Sequence, residues 1–469
     1  MDLIARLKDI VGDTQVLTGA ETAPYRDDWT KKFPSDPLAV VRPANTAEVS
    51  AIVKLAGEAG TPVVPASGRT GLTGGAQANG QILLSVERMN KIREIRPEAR
   101  TAIVEAGVIL SQLHDACEEK NLVFPLTFGA KGSAMIGGVL STNAGGSNVV
   151  RYGSTRGLCL GLEVVLADGR VMDLMSELHK DNSGYDLKDL FIGAEGTLGI
   201  ITAAVMKLSP KPAAYATAMV ATPSLPDALK LLNRLQIATG GAVEAFEYMP
   251  RSYIEGHLAC FPDQREPFDA PHDINVMVEV GALAPRDATP GDVGSVPIVD
   301  YLEEVLAELM EEGAVLDAVV ARNEAQRREM WQRREEAAQV TTGRLPLVNC
   351  DVALPLDKVH VFLDRMEQVL AELDADAEWI CVSHLGDGNV HYTAYPSSKD
   401  PALQDALVER VEDVVLSLGG SFSAEHGIGQ YKKPSMARRK NPVAIDVMRT
   451  IKTALDPQNL LNPGKVLPD

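Results

Sequence analysis

Three glycine-rich stretches limit what this chain can fold into: residues 67–75 (SGRTGLTGG), 132–146 (GSAMIGGVLSTNAGG) and 191–201 (FIGAEGTLGII). Neighbouring glycines let backbone N–H groups converge on an anion without interference from Cβ atoms. The first stretch follows the apolar run 61–65, which reads as a strand, so it is a loop at a strand end, where ligands bind. It is not GxGxxG, and no lysine follows it as in a Walker loop, so neither a Rossmann nicotinamide site nor ATP hydrolysis is supported. One such loop is equally well a structural turn, but three would be extravagant in a plain core.

Around these loops the pattern alternates short strands and helices. Residues 38–42 read as a strand, and Asn45 opens a helix with Val49, Ile52, Val53 and Ala56 at helical spacing. Gly57 and Gly60 are expected to close that helix, and 61–65 to follow as a second strand in a βαβ-like unit. Further strands are expected at 103–106 and 162–166, and the run 209–212 (SPKP) punctuates the chain. Beyond it, Leu302, Val305, Leu306, Leu309 and Met310 make a one-sided apolar helix ending at Gly313. Residues 282–297, with Pro285, Pro290, Gly291 and Gly294, read as an exposed loop, and the turn-rich tail 455–465 as a segment folding back onto another part of the chain. A length of 469 residues suits two domains and a small third piece, placed at 1–212, 213–440 and 441–469.

With 45 Lys and Arg against 64 Asp and Glu, the net charge is -19, which repels nucleic acid and anionic lipid. A small anionic substrate stays compatible, because a site answers to its local charges. The five cysteines are scattered with no CxxC, which argues against a zinc ribbon, a redox dithiol or an iron–sulfur cluster and for a reducing compartment. No signal-like segment and no apolar run of ~20 residues is seen, so a cytoplasmic protein without a membrane span is expected.

Two histidine motifs stand out. In 384–391 (HLGDGNVH), Asp387-Gly388 reads as a two-residue hairpin turn, which would put His384 directly opposite His391 with Cβ atoms about 5 Å apart. Glu425 and His426, in 423–429 (SAEHGIG), add a carboxylate and another imidazole, a two-His-one-carboxylate set with open coordination positions. A single histidine more often caps a turn or satisfies a core carbonyl, but three of only eight gathered in two such motifs favour a site. Asp387 reads as a turn residue rather than a fourth ligand.

Together, the glycine loops with HxGDGNxH and EHGIG resemble the FAD-binding fold of the vanillyl-alcohol oxidase and p-cresol methylhydroxylase (PCMH) type. The branch is that of D-lactate dehydrogenases, D-2-hydroxyglutarate dehydrogenase and the FAD subunit of glycolate oxidase, and the likeness covers nearly the whole chain. It implies an α+β protein: a PCMH-type FAD domain of two α/β subdomains, then an α+β substrate domain with an antiparallel sheet. On this resemblance Pro65, Ser67, Gly68, Arg69, Thr70, Gly71, Leu72, Gly74 and Gly75 hold the FAD pyrophosphate. Gly132, Ser133, Gly137, Gly138, Thr142, Asn143, Gly145 and Gly146 pass near the isoalloxazine and ribityl chain. Glu195, Gly196, Gly199 and Ile200 close on the adenosine side, and Asn462 reaches in from the tail. Residues 67–72 contain no His or Cys for covalent attachment, so dissociable FAD is expected.

The resemblance also implies that His384, His391 and Glu425 hold a divalent metal, with zinc expected ahead of manganese and iron. His426 is then the base, Arg334 binds the substrate carboxylate, and the C2 hydride goes to flavin N5. For Arg334 the alternatives are a solvated helix face, in the Glu/Arg-rich run 331–336, and its neighbour Arg333. D-2-Hydroxyglutarate dehydrogenase has Thr, Lys and Asn where this chain has Ala338, Asn349 and Thr393, which leaves D-lactate or another 2-hydroxy acid open. Electrons would leave for an electron-transfer flavoprotein, quinone or cytochrome, and a homodimer is the default. The competing readings are a non-redox enzyme of the alkylglycerone-phosphate synthase type and an FAD subunit of a glycolate-oxidase-like complex.

Overall fold

The computed structural model describes residues 2–291 and 295–469. Asn45 Oδ1 accepts the N–H of Glu48 at 3.0 Å, so it caps the helix Thr46–Ala59, whose Val49, Ile52, Val53 and Ala56 are buried. Only Gly60, at φ 62°, ends that helix; Gly57 lies within it, because a single left-handed residue is enough to stop the turn. The strands Ala39–Val41 and Val63–Ala66 on either side of the helix do not pair. Both run parallel to Ile82–Ser85, which lies between them, so loop 67–75 leaves from the edge strand of a four-stranded sheet.

A five-stranded antiparallel sheet follows, in the order Ile92–Arg96, Thr101–Glu105, Ile200–Lys207, Cys159–Val165, Val171–Leu174. The punctuating Ser209–Pro210 is itself a short strand, paired with Leu122–Val123. The largest sheet has seven antiparallel strands, in the order Asp317–Val320, Ala214–Ala221, Ile274–Ala282, Val243–Pro250, Glu378–His384, Asn389–Tyr395, Val348–Ala353.

Alternation along each strand gives this sheet two unlike faces. Val276, Val278 and Val280 join a core closed by the helices Leu225–Ala238, Pro297–Glu311, Val359–Leu373 and Pro401–Ser417. Met277 points the other way, under the helices Arg251–Cys260, Glu324–Glu335 and Ala337–Thr342. This second face also carries the buried polar residues of the site.

Two local expectations change. Met310 is 40% exposed, because it falls off the stripe that buries Leu302, Val305, Leu306 and Leu309. The proposed loop 282–297 contains a one-turn helix, Pro285–Ala288, while Gly294 lies outside the described residues. No helix among the described residues is long and apolar enough to cross a membrane, and all five cysteines are free. The architecture is α+β, as the sequence implies.

Candidate active site

The three glycine loops and the tail meet. A side chain at Gly68 would strike the Ser133 carbonyl at 2.1 Å, so at that point the first two loops touch backbone to backbone. Asn462 Nδ2 donates to the carbonyls of Gly75 (2.9 Å) and Glu195 (2.7 Å), tying the tail to the first and third loops. Gly196 rests on Pro65, and Ser67 packs against Gly137 and Gly138. Gly71 and Gly132 instead face open space, with nothing within 4 Å of where a Cβ would be.

Not every residue of these loops turns its side chain inward. The Arg69 guanidinium reaches back to the Pro24 carbonyl at 2.8 Å and lies over the Tyr25 ring. Thr142 Oγ1 donates to Gly138 O, Gly199 packs on Val164 and Phe191, and Ile200 is core. Gly199 and Ile200 thus have no side-chain group for a ligand, and the Thr142 hydroxyl, its proton already given, can only accept.

The histidine hairpin pairs differently from the two-residue turn. His384 stands opposite Asn389, and His391 opposite Val382, around a four-residue loop, 385–388. Leu385 is fully buried, Gly386 lies against Val150 and Phe246, and a Cβ on Gly388 would lie 2.1 Å from Leu354 O. Tertiary contacts, rather than Asp-Gly turn preference, therefore set the loop. The slip is two residues, which keeps both imidazoles on one face as diagonal neighbours, ring centroids 5.4 Å apart. Asp387 Oδ1 accepts the Asn389 N–H, as a turn residue does.

Donor atoms of Asp351, His391, Glu425 and His426 all lie within 4.8 Å of one another. His391 Nε2 is 3.4 Å and His426 Nε2 3.7 Å from Glu425 Oε1, while both Nδ1 atoms face the buried Asp351 at 3.6 and 3.7 Å. Burial, with the positive charge of Arg334 nearby, holds the His391 imidazole well below its ordinary pKa despite Asp351. It is therefore neutral, the form that binds metals. His384 stands beside this group of four rather than within it.

Two buried carboxylates position the segment carrying Glu425 and His426. Asp351 Oδ2 accepts the N–H groups of Ala424, Glu425 and His426 at 3.2, 3.0 and 3.0 Å, and its Oδ1 accepts from Asn389 Nδ2 at 2.9 Å. Burial alone would raise the Asp351 carboxyl, but the positive charge of Lys432 and the backbone donors carry it far below the usual range. From the other side, Glu195 accepts from Ile428 and Gly429 at 2.7 and 2.8 Å. Gly429, at φ 52°, sits where a Cβ would meet Thr73 O at 2.2 Å, so no other residue brings the segment this close to the first loop.

Arg334 and Arg333 are both buried on the helix Glu324–Glu335, which disposes of a solvated face, and they point apart. Arg333 Nη2 donates to Arg265 O, away from the histidines. Arg334 Nε lies 2.7 Å from Glu247 Oε2, whose carboxylate also meets His384 Nδ1 at 2.8 Å.

Residues 211–466 match the family model described as FAD linked oxidases, C-terminal domain, and residues 37–175 that of an FAD binding domain. The chain belongs to the FAD-linked oxidase family. It is accordingly an FAD-dependent oxidoreductase. It is 34% identical to a D-2-hydroxyglutarate dehydrogenase of Stutzerimonas stutzeri (strain A1501), over 99% of this chain and 98% of that one. It is 35% identical to the mitochondrial D-2-hydroxyglutarate dehydrogenase of Bos taurus, over 100% of this chain and 84% of the relative. Substrate-bound p-cresol methylhydroxylase shares the fold with a TM-score of 0.74 at 18% identity, covering 99% of this chain and 96% of that one. Alkyldihydroxyacetonephosphate synthase matches with a TM-score of 0.74 at 16% identity, covering 99% and 86%, a likeness of fold alone.

In this FAD-linked oxidase, sequence reasoning missed Asp351 and Glu247. Asp351 opens the run 351–355 and Glu247 lies in 243–250, and neither segment has a motif around its acid. The usable signal was weak: an acid within a mostly apolar strand, single in the case of Asp351 and accompanied by Glu244 in that of Glu247, is rarely buried unpaired.

Proposed function

We propose that this protein oxidises a D-2-hydroxy acid, of the 2-hydroxyglutarate or lactate type, to the 2-oxo acid. The observation that carries the reading is the packing of Glu425 and His426, on a segment clamped to the glycine-loop cradle, against His391 of the hairpin, with His384 and Arg334 beside them. The names of the full-length relatives support the same substrate class. The division of labour would be FAD binding by 1–212, substrate and metal binding by 213–440, and closure of the cradle by 441–469.

The residues fit both groups. A backbone-lined cradle with Gly71 and Gly132 facing open space suits a dinucleotide, and no His or Cys lies in 67–72, so the FAD would be non-covalent. The donors of Asp351, His391, Glu425 and His426 within 4.8 Å of one another, with the His384 ring 5.4 Å from that of His391, suit a divalent cation, zinc, manganese or iron. His384, His391 and Glu425 would hold it. When bound, the cation supplies positive charge beside the substrate hydroxyl and the flavin a hydride acceptor at N5. Arg334 would grip the substrate carboxylate, and His426 Nε2 would take the hydroxyl proton. Near the hairpin, Thr393 and Asn349 face each other across neighbouring strands as neutral groups, which keeps D-lactate beside D-2-hydroxyglutarate as a candidate. Electrons would pass on to an external acceptor.

The test mixes oxidised protein anaerobically with D- and L-2-hydroxyglutarate, lactate and malate, and with glycolate, with and without prior chelation, while flavin absorbance is followed. Rapid bleaching by a D-acid, abolished by chelation, is the expected result. Metal-replete, FAD-loaded protein that stays oxidised with every acid would sink the proposal.

A further inference from the structure

We infer that Glu247 is a positioning residue that sets two groups of the site at once, the imidazole of His384 and the guanidinium of Arg334. The inference rests on the function proposed above and deepens it. Glu247 lies on the strand Val243–Pro250, directly opposite His384 on the next strand, with Met277 across from it on the other side. It is fully buried, in the middle of the sheet, where an acid survives only if its charge is balanced. His384 Nδ1 is 2.9 Å from Oε1 and 2.8 Å from Oε2, and Arg334 Nε is 2.7 Å from Oε2.

The consequences follow from donor and acceptor counting. An ionised carboxylate only accepts, so His384 Nδ1 carries the proton in this contact and Nε2 keeps its lone pair for a cation. On the other arm, the Nε contact of Arg334 is close without being a directed hydrogen bond, so it is a charge pair. Arg334 Nη2 meanwhile lies 3.4 and 3.5 Å from the two ring nitrogens of His384. Glu247 thus lets a cationic side chain sit against an imidazole that must stay a ligand. A glutamine could still accept from His384 Nδ1, but it would leave the guanidinium without a counter-charge. The two effects are therefore expected to move together.

The test compares wild type, Glu247→Gln, Glu247→Asp and Arg334→Met, each purified with FAD and stripped of metal. Cobalt(II) is titrated in and its dissociation constant read from the ligand-field absorbance, with FAD content and Tm as folding controls. KM and kcat for D-2-hydroxyglutarate and D-lactate are then measured in the metal-replete proteins. Glu247→Gln is expected to weaken cobalt binding by about 10- to 100-fold and to raise KM, whereas Arg334→Met raises KM and leaves cobalt binding unchanged. Glu247→Asp, which keeps the charge, is expected to recover part of both losses, and it carries the test alone if the glutamine variant does not fold. A folded, flavin-loaded Glu247 variant that binds cobalt as tightly as wild type, or keeps its KM, overturns the inference. Wild-type protein that binds no cobalt overturns both the inference and the metal-assisted site it rests on.

Discussion

His384, His391 and His426 each turn Nδ1 toward a buried carboxylate, Glu247 for the first and Asp351 for the other two. The shared arrangement leaves three Nε2 atoms for the site's chemistry. Arg334 and Arg333 show how little sequence adjacency means on a helix, where neighbouring side chains point about 100° apart. Replacing Arg334 by Met is expected to raise KM for the acid by roughly 10- to 100-fold, the worth of a charged hydrogen bond. Arg333→Met should leave KM alone and lower Tm, because its guanidinium serves Arg265 O; steady-state kinetics with thermal melts separate the two. The cysteines allow a simple check of burial. Cys260 is exposed, while Cys117, Cys159, Cys350 and Cys381 are buried, and burial pushes the first two of these thiols up to about 12. Native protein should therefore release one equivalent of thionitrobenzoate from Ellman's reagent, and unfolded protein five.

At the scale of elements, the segment 423–432 has little regular structure of its own, so its shape comes from what it is tied to. Asp351 holds three consecutive N–H groups from the seven-stranded sheet, and Glu195 holds two from the glycine-loop side. Asp351→Asn replaces an anion by a neutral amide under those donors. A loss of roughly 1.5–3 kcal/mol in urea unfolding is expected, with FAD retained. The hairpin 378–395 makes the complementary point. Asp-Gly favours a two-residue turn locally, yet burial of Leu385 and close approach of Gly388 to Leu354 impose a longer one. Because strand faces alternate with period two, a register error of two residues left the conclusion about shared faces intact, whereas an error of one would have reversed it.

Across the whole molecule, segments far apart in sequence close one cradle: 67–75, 132–146, 191–201 and the tail around Asn462. The tail is fastened by more than Asn462. Leu461 bridges to Val63, and Lys452 Nζ donates to the carbonyls of Thr197 and Leu461 at 2.8 Å each. Asn462→Ala removes two donors from the joint between loops without touching the core. FAD dissociation is expected to tighten or loosen with that joint, so the variant should bind FAD about tenfold more weakly, read from the rise of free-flavin fluorescence on dilution. Acid precipitation of wild type should leave all the flavin in the supernatant, as a non-covalent cofactor requires.

What the sequence determined by itself was local: a capped helix at Asn45, glycine loops at strand ends, and two histidine motifs whose short spacing keeps their members together in almost any fold. A glycine cluster or a pair of histidines seven residues apart carries its meaning in its own neighbourhood, so it can be read before anything is folded. Glu247 and Asp351 carry no such meaning. Each is an acid in a strand with no motif around it, and only the pairing of Glu247 with His384, and of Asp351 with His391, shows which groups it faces. The same holds for the order of strands around Ile82–Ser85 and for the length of the hairpin loop. In each case the decision came from contacts between residues distant in sequence, because a buried charge or a close backbone approach is favourable only once its partner is in place.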